Sequence, residues 1–201
     1  MKTQMIIAGL LLVATAAFAA VAQAPQKRSG AVTIDQRQIE IPDLQVVDQD
    51  GVKRRFYSDL IKDKVVILSF FYTSCPSMCP VTADRLGKLQ TNLGDRLGKD
   101  VFIVTVTRDP ETDTPARLKA WSRNLHIKPG WTIITGDVKA IGQIVRDFTG
   151  DGLGQNMHNT FFFIGNDKTG TWTDHSGYTS VTDLRQQIDT VSTKVNAEGV
   201  R

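Results

Sequence analysis

The sequence has little cysteine and little histidine, with two cysteines and three histidines among 201 residues. Both cysteines lie four positions apart, so a disulfide between them would close a very short loop and add little chain-entropy stabilisation. A purely structural role for the pair is therefore disfavoured, and a redox or metal-binding role is expected. The chain is long enough for one domain with a sizeable core, and its 41% hydrophobic and 22% charged residues are ordinary globular composition.

A large cluster of one charge is also missing. The formal net charge is +3, and it falls to +2 without the N-terminal segment that carries Lys2. The basic run Lys53-Arg54-Arg55 is short and stands beside Phe56, as on a solvated strand edge. The composition therefore argues against a nucleic-acid-binding protein.

Outside the N-terminus, no segment approaches the length of a transmembrane helix. The N-terminal run from Met5 to Val21 is apolar, follows Lys2 and ends among small residues, which is the pattern of a secretory signal peptide. Candidate cleavage sites end at Ala19, Ala22 and Ala24. The same run reaches the lower length limit for crossing a bilayer, so an uncleaved membrane anchor is the alternative. In both cases the folded part is exported.

The rest of the chain alternates strand and helix patterns. Residues 26–38 are polar and predict a linker or an irregular start. Strands are predicted at 39–47, 53–57, 65–72, 101–106, 131–135, 161–164 and 171–173, and helices at 81–93, 115–127, 138–148 and 181–195. This order predicts an α/β fold with parallel strands joined by helices, an early hairpin around Asp48–Gly51 and a late antiparallel edge. The expected division is a signal segment at 1–24, a flexible segment at 25–40, one domain at 41–195 and a tail at 196–201.

Both cysteines lie in the stretch Thr73-Ser74-Cys75-Pro76-Ser77-Met78-Cys79-Pro80, between a buried strand and a helix. The N–H groups and dipole at a helix N-terminus favour a thiolate. With Cys75 at or before the first turn and Cys79 one turn later, both sulfurs are expected on one helical face. Such a pair suits a disulfide or a soft metal ion such as Cu(I). Met78 is a further soft donor, or a packing residue.

A thiol pair at the carboxyl end of a central strand, in this order of elements, resembles the thioredoxin fold. In that fold the loop that enters the strand at 161 faces the cysteine motif and usually carries a cis-proline. Here the loop offers His158 and Asn159, with Met157 before them, and no proline. Two thiolates and an imidazole suit Cu(I) or, with a fourth ligand, Cu(II).

The other polar candidates have ordinary interpretations. His126 is predicted at a helix end and His175 in a surface loop after the late hairpin. Asp109 and Asp113 follow the strand at 101–106, where Asp-Pro and Asp-Thr-Pro are turn and capping sequences. Because that loop follows the neighbouring strand, their carboxylates are alternatively expected near the thiols, where they would tune the site or dock a partner.

Together these motifs resemble the Sco/SenC family of exported copper-handling proteins, over roughly Ile41 to Val195. The resemblance is carried by three features of the sequence: the run Phe70-Phe71-Tyr72-Thr73-Ser74-Cys75-Pro76-Ser77-Met78-Cys79-Pro80, the element Asp109-Pro110 with Asp113-Thr114-Pro115, and His158 ahead of the Phe161 strand and Gly170. It implies a thioredoxin-like α/β fold, with a central mixed sheet flanked by helices and an N-terminal β-hairpin. It also implies copper ligands at Cys75, Cys79 and His158.

The sequence departs from the family pattern at one ligand position. Family members often have Asp before the ligand histidine, and here that residue is Met157. The familiar triplet Asp-His-Ser occurs instead at Asp174-His175-Ser176, but no apolar strand follows it. His158 is therefore preferred over His175 as the ligand.

The resemblance implies a periplasmic metallochaperone that delivers copper to a copper enzyme, foremost the copper centre of cytochrome c oxidase. Its partners would be the receiving oxidase subunit, another periplasmic copper chaperone or a thiol reductant. The alternative is an enzyme, a thiol–disulfide oxidoreductase that uses Cys75 and Cys79 to reduce the receiving protein and does not need His158. A thiol peroxidase is a third interpretation of the same pair.

Overall fold

The computed structural model describes residues 30–34, 37–150, 152–153 and 161–198, which form a mixed sheet with helices on both faces. The strands are β1 Gly30–Ile34, β2 Arg37–Ile41, β3 Gln45–Asp48, β4 Lys53–Arg55, β5 Val65–Phe71, β6 Val101–Thr107, β7 Trp131–Thr135, β8 Phe161–Asn166 and β9 Thr171–Ser176. The helices are α1 Met78–Leu93, α2 Pro115–Asn124, α3 Val138–Thr149 and α4 Val181–Glu198. Shorter turns of π- or 3₁₀-helix lie at Phe56–Ile61, Gly94–Arg96 and Asp167–Thr169.

The order of strands in the sheet is β2-β1-β9-β8-β5-β6-β7-β3-β4. The three central strands β5, β6 and β7 run parallel, and β8 is antiparallel to β5. Phe71 pairs with Thr107, and Ser69 pairs with Phe162. The carboxyl ends of β5 and β6 and the start of β8 therefore lie side by side at one end of the strands. The cysteine motif follows β5 at this end of the strands.

The sheet separates two apolar layers, and β5 contributes alternate residues to each of them. Val66, Leu68 and Phe70 point to the layer covered by α3, which we call the ring face because it contains Phe56, Phe70, Phe148, Phe163 and Trp172. Val65, Ile67 and Phe71 point to the layer covered by α1, α2 and α4, which we call the cysteine face because it contains Cys79. All seven residues of β5 are buried, as predicted from a run that is apolar almost throughout.

Helix starts follow their sequence signals where a capping side chain is present. The Thr114 side chain accepts a hydrogen bond from Arg117 N, and Pro115 is the first residue of α2, which confirms the predicted cap. Asp137 caps α3 through the N–H groups of Lys139 and Ala140. Helix α1 begins at Met78, earlier than the predicted start at Val81, so Cys79 lies inside its first turn.

Three predictions for the first third of the chain are wrong. Residues 30–34 are not irregular but form β1, which pairs with β2 and β9. An edge hairpin needs only one apolar face, so its sequence looks polar overall, although Ile39 and Ile41 are buried. The predicted strand at 39–47 is two strands, because Pro42 has no N–H to donate to a continuing ladder. The predicted return strand at 53–57 ends at Arg55, because a turn of π-helix begins at Phe56.

The late hairpin is also placed differently from the prediction. Strands β8 and β9 do not form an edge of the sheet, because β1 pairs with the outer side of β9. Among the helices that the structure describes, none is both long enough and apolar enough to cross a bilayer. The predicted signal segment at 1–24 lies outside the described residues, and the division of the chain at 24, 40 and 195 stays a prediction.

Candidate functional site

The two cysteines stand on different elements. Cys79 is in the first turn of α1, whereas Cys75 is in the loop between β5 and α1, where its N–H donates to the Tyr72 carbonyl at 3.2 Å. The expectation of one shared helical face is therefore wrong, because the helix begins only at Met78. The loop instead folds back over the helix end, and the Cys79 N–H donates to Cys75 Sγ at 3.4 Å.

Cys75 Sγ takes the place that a capping oxygen often has at a helix start. Ser77, the residue before α1, makes no side-chain capping bond, which leaves the first N–H groups of the helix for another acceptor. Burial by itself would raise the pKa of the Cys75 thiol. Hydrogen bonds from the Cys79 thiol and from the N–H groups of Ser77 and Cys79 outweigh burial and hold that pKa below its ordinary value.

The second thiol has the opposite environment. Cys79 is buried at 3% exposure, while Cys75 is partly exposed, and neither is in a disulfide. Burial, together with the hydrogen bond to Cys75, raises the pKa of Cys79 to about 12. In the reduced protein the pair therefore consists of one accessible sulfur that readily becomes a thiolate and one enclosed sulfur that keeps its proton.

Asp113 joins the loop to the neighbouring strand. Its side chain is fully buried, and it accepts hydrogen bonds from Thr73 N at 3.0 Å, from the Thr73 hydroxyl and from the Thr107 hydroxyl at 2.5 Å. Its charge also contributes to the raised pKa of Cys79, behind burial and the hydrogen bond to Cys75. The structure therefore ties this carboxylate to Thr73, two residues before Cys75, and its action on the thiols stays an expectation.

Asp109 behaves differently, although it belongs to the same motif. Its carboxylate accepts the N–H of Thr112 at 3.3 Å, and its carbonyl accepts the N–H groups of Thr112 and Asp113. These are bonds within one turn, in line with the interpretation of Asp-Pro as a turn sequence. The two aspartates therefore have separate roles, which the sequence did not distinguish.

Three residues around the motif were missed by the sequence analysis. Thr73 and Thr107 are the hydroxyl partners of Asp113, and their only sequence signal is their position at the ends of two neighbouring strands. Tyr178 carried no signal. Its side chain is 69% exposed, its hydroxyl donates to Met78 Sδ at 3.1 Å, and its ring lies under the Arg85 guanidinium. Tyr178 therefore contacts the cysteine motif through Met78.

Of the three histidines, two are described. His126 is exposed at the end of α2, as predicted. His175 is not in a loop but in β9, opposite Phe162 and half-buried, because β9 extends to Ser176 in register with β8. Burial lowers the pKa of His175, although the Asp174 carboxylate acts against that shift, and its Nε2 lies 2.8 Å from the Thr173 hydroxyl.

His158 and Met157 lie outside the described residues. Within the described ranges, no three side chains of His, Cys, Asp or Glu cluster closely enough to hold a metal ion. The two sulfurs do fit a soft monovalent ion, since both are free and lie beside each other at a helix N-terminus. Binding of such an ion would release the proton of Cys79. The sulfurs offer two ligands, so a complete site needs a further donor.

Comparison with known proteins shows the family to which this chain belongs. The model of the family described as SCO1/SenC matches residues 32–196. The chain is similar to an SCO2-like protein of Rickettsia conorii, with 31% identity over 124 residues that cover 60% of this chain and 57% of the relative. Thus the aligned part spans little more than half of that relative.

Solved structures show the same fold. The chain superimposes on BsSco, described as a member of the Sco family of cytochrome c oxidase assembly proteins with a disulfide switch, with a TM-score of 0.63 and 25% identity over 75% of this chain and 91% of that one. It is also similar to ScoI of Arabidopsis thaliana, solved with copper bound, with a TM-score of 0.61 and 20% identity over 75% and 96%. The predicted thioredoxin-like α/β fold, a mixed sheet flanked by helices, is confirmed.

Proposed function

Because the chain belongs to the SCO1/SenC family, we propose that it is a periplasmic copper-binding metallochaperone. Its copper would be held by the thiolates of Cys75 and Cys79 and by the imidazole of His158. The observation that carries this proposal is the pair of free sulfurs at the N-terminus of α1, one of them hydrogen-bonded by the helix itself. Thiolates select Cu(I) over harder ions, and imidazole is a common third ligand.

The unequal exposure of the two sulfurs supports a direction for copper transfer. Cys75 is partly exposed and Cys79 is enclosed, so a ligand of the receiving protein reaches the Cys75 side first. Cys79 would stay bound to copper until the incoming ligand has replaced Cys75. The recipient we propose is the copper centre of cytochrome c oxidase, because BsSco belongs to a family of oxidase assembly proteins and resembles this chain over three quarters of its length.

The direct test is a titration of the reduced protein with Cu(I) against a competing chelator. We expect about one Cu(I) per chain, and a large loss of affinity in Cys75→Ser and Cys79→Ser, because each removes a thiolate ligand. His158→Ala should also weaken binding, whereas His126→Ala, the matched control at the exposed end of α2, should not. A stoichiometry far from one, or full affinity in His158→Ala, would contradict the proposed ligand set.

A second candidate function is thiol–disulfide exchange, and the asymmetry of the thiol pair favours it. The Cys75 thiolate would attack a disulfide of the receiving protein, forming a mixed disulfide and releasing one partner thiolate. Cys79 would then lose its proton and attack Cys75 Sγ, which releases the second partner thiolate. The partner gains two electrons and this protein becomes the disulfide.

The two functions are separable because only copper binding needs the imidazole. In cells, a His158→Ala protein that supports oxidase assembly fully, while Cys75→Ser does not, would favour exchange over delivery. The functions also fit together, since a thiol pair must be reduced before it can bind Cu(I).

A further inference from the structure

We propose that Asp113 is a positioning residue for the thiol pair: its buried carboxylate fixes the loop that carries Cys75 relative to α1. This inference rests on the proposed copper-binding function and adds a residue that touches neither sulfur by hydrogen bond.

The Asp113 carboxylate is anchored to the ends of two strands. Thr73, which donates both its N–H and its hydroxyl, stands just after β5 and two residues before Cys75. Thr107, which donates its hydroxyl, is the last residue of β6. A carboxylate that is fully buried is costly unless its oxygens are hydrogen-bonded, so these three donors hold it in one place.

The backbone of Asp113 is fixed by a turn and by the start of α2. Its N–H donates to the Asp109 carbonyl at 2.8 Å, and the next two residues begin the capped helix α2. A second link runs from the same helix, because Arg117 Nη2 donates to the Thr73 hydroxyl at 3.2 Å. The start of the cysteine loop is therefore tied to both β6 and α2.

The tie determines where Cys75 can lie. Between Thr73 and α1 the loop is also held by the bond from Cys75 N to the Tyr72 carbonyl and by the bond from the Cys79 N–H to Cys75 Sγ. If Thr73 is released, Cys75 Sγ can leave the N–H groups at the start of α1, and the separation of the two sulfurs is no longer set. Groups that orient metal ligands typically contribute about 10–100-fold to metal affinity.

The experiment compares Asp113→Asn with Asp109→Asn, two identical substitutions four residues apart in one motif. We expect Asp113→Asn to bind Cu(I) about 10–100-fold more weakly with unchanged stoichiometry. Asp109→Asn should keep wild-type affinity, because that side chain bonds within its own turn. Thr107→Val removes one of the three donors to Asp113 and also the acceptor of the Asp109 N–H, and it should weaken Cu(I) binding as well. This variant replaces Asp113→Asn in the test if Asp113→Asn does not fold.

A copper-free measurement separates positioning from general stability. In the reduced apo protein, iodoacetamide should modify Cys75 faster than Cys79. Asp113→Asn should lower the ratio of the Cys75 alkylation rate to the Cys79 alkylation rate. Wild-type copper affinity with an unchanged alkylation ratio in Asp113→Asn would overturn the inference and leave the copper site intact. If the wild-type protein binds no Cu(I), the proposed function fails, and the alkylation ratio alone decides whether Asp113 positions the loop.

Discussion

The two faces of the sheet are built from different kinds of contact. On the ring face, Phe148 of α3 packs against Phe56, Phe70, Phe163 and Trp172, with ring centroids 5.4–6.3 Å apart. All four pairs are tilted or edge-to-face, and aromatic quadrupoles favour the edge-to-face arrangement. Non-directional burial dominates this face, so its contribution is chiefly to stability.

The cysteine face adds buried polar groups to its apolar contacts. A hydroxyl ladder crosses the central strands, since Thr105 Oγ1 lies 2.9 Å from Ser69 Oγ and accepts from Trp131 Nε1 at 2.9 Å. Beyond it, at the ends of the strands, stand Thr107 and Asp113. Hydrogen bonds are directional, so they fix the separation between strand ends. Apolar contacts alone do not fix it. The difference indicates that the ring face chiefly stabilises the fold, whereas the cysteine face also orients the thiols.

The largest expected effect lies within the cysteine face, between its two sulfurs. In reduced protein near neutral pH, iodoacetamide should modify Cys75 and leave Cys79 essentially unmodified, because the thiolate is the nucleophile. The Cys75 rate should rise with pH through a pKa below the ordinary thiol value and then level. The Cys79 rate should stay low until the pH approaches about 12. Peptide mass spectrometry after timed quenching measures both rates.

Alkylation in denaturant is the control for this prediction. Unfolding removes burial and the helix N–H donors, so both cysteines should then react at similar rates. Equal rates in the folded protein would show that the two sulfurs share one environment.

The next effect tests cohesion on the ring face. Phe148→Ala removes a fully buried ring that contacts four others, and we expect a loss of about 3–5 kcal/mol in the free energy of unfolding. Denaturant unfolding measures it. Val138→Ala, at an exposed position of the same helix, should cost less than about 0.5 kcal/mol. The Cys75 to Cys79 alkylation ratio of folded Phe148→Ala should match wild type, and a changed ratio would show that the faces are coupled.

The smallest effect tests the hydroxyl ladder. Thr105→Val keeps the shape of the side chain but leaves the Ser69 hydroxyl and Trp131 Nε1 without this partner, which should cost about 1–3 kcal/mol. Thr105→Ser retains the hydroxyl and should be closer to wild type in the same unfolding measurement. If Thr105→Val were as stable as wild type, the polar groups of the cysteine face would not be structural.

Much of the fold could be predicted because the relevant signals are local. The almost wholly apolar run of β5 and the Thr114-Pro115 start of α2 are patterns of neighbouring residues, and both predictions are confirmed. The hairpin of β1 and β2 was missed since its pairing partner β9 lies about 140 residues later in the chain. For the same reason the strand around His175 was mistaken for a loop, because its register is set by β8.

By itself the sequence determined that a thiol pair stands between a buried strand and a helix, with two aspartates after the next strand. Only the tertiary structure decided that Cys75 precedes the helix and accepts its N–H group, that Cys79 is enclosed, and that Asp113 rather than Asp109 holds the loop. The physical reason is that spacing along the chain specifies which residues share an element. Burial and hydrogen-bond partners arise between elements, and they decide how two identical side chains come to differ.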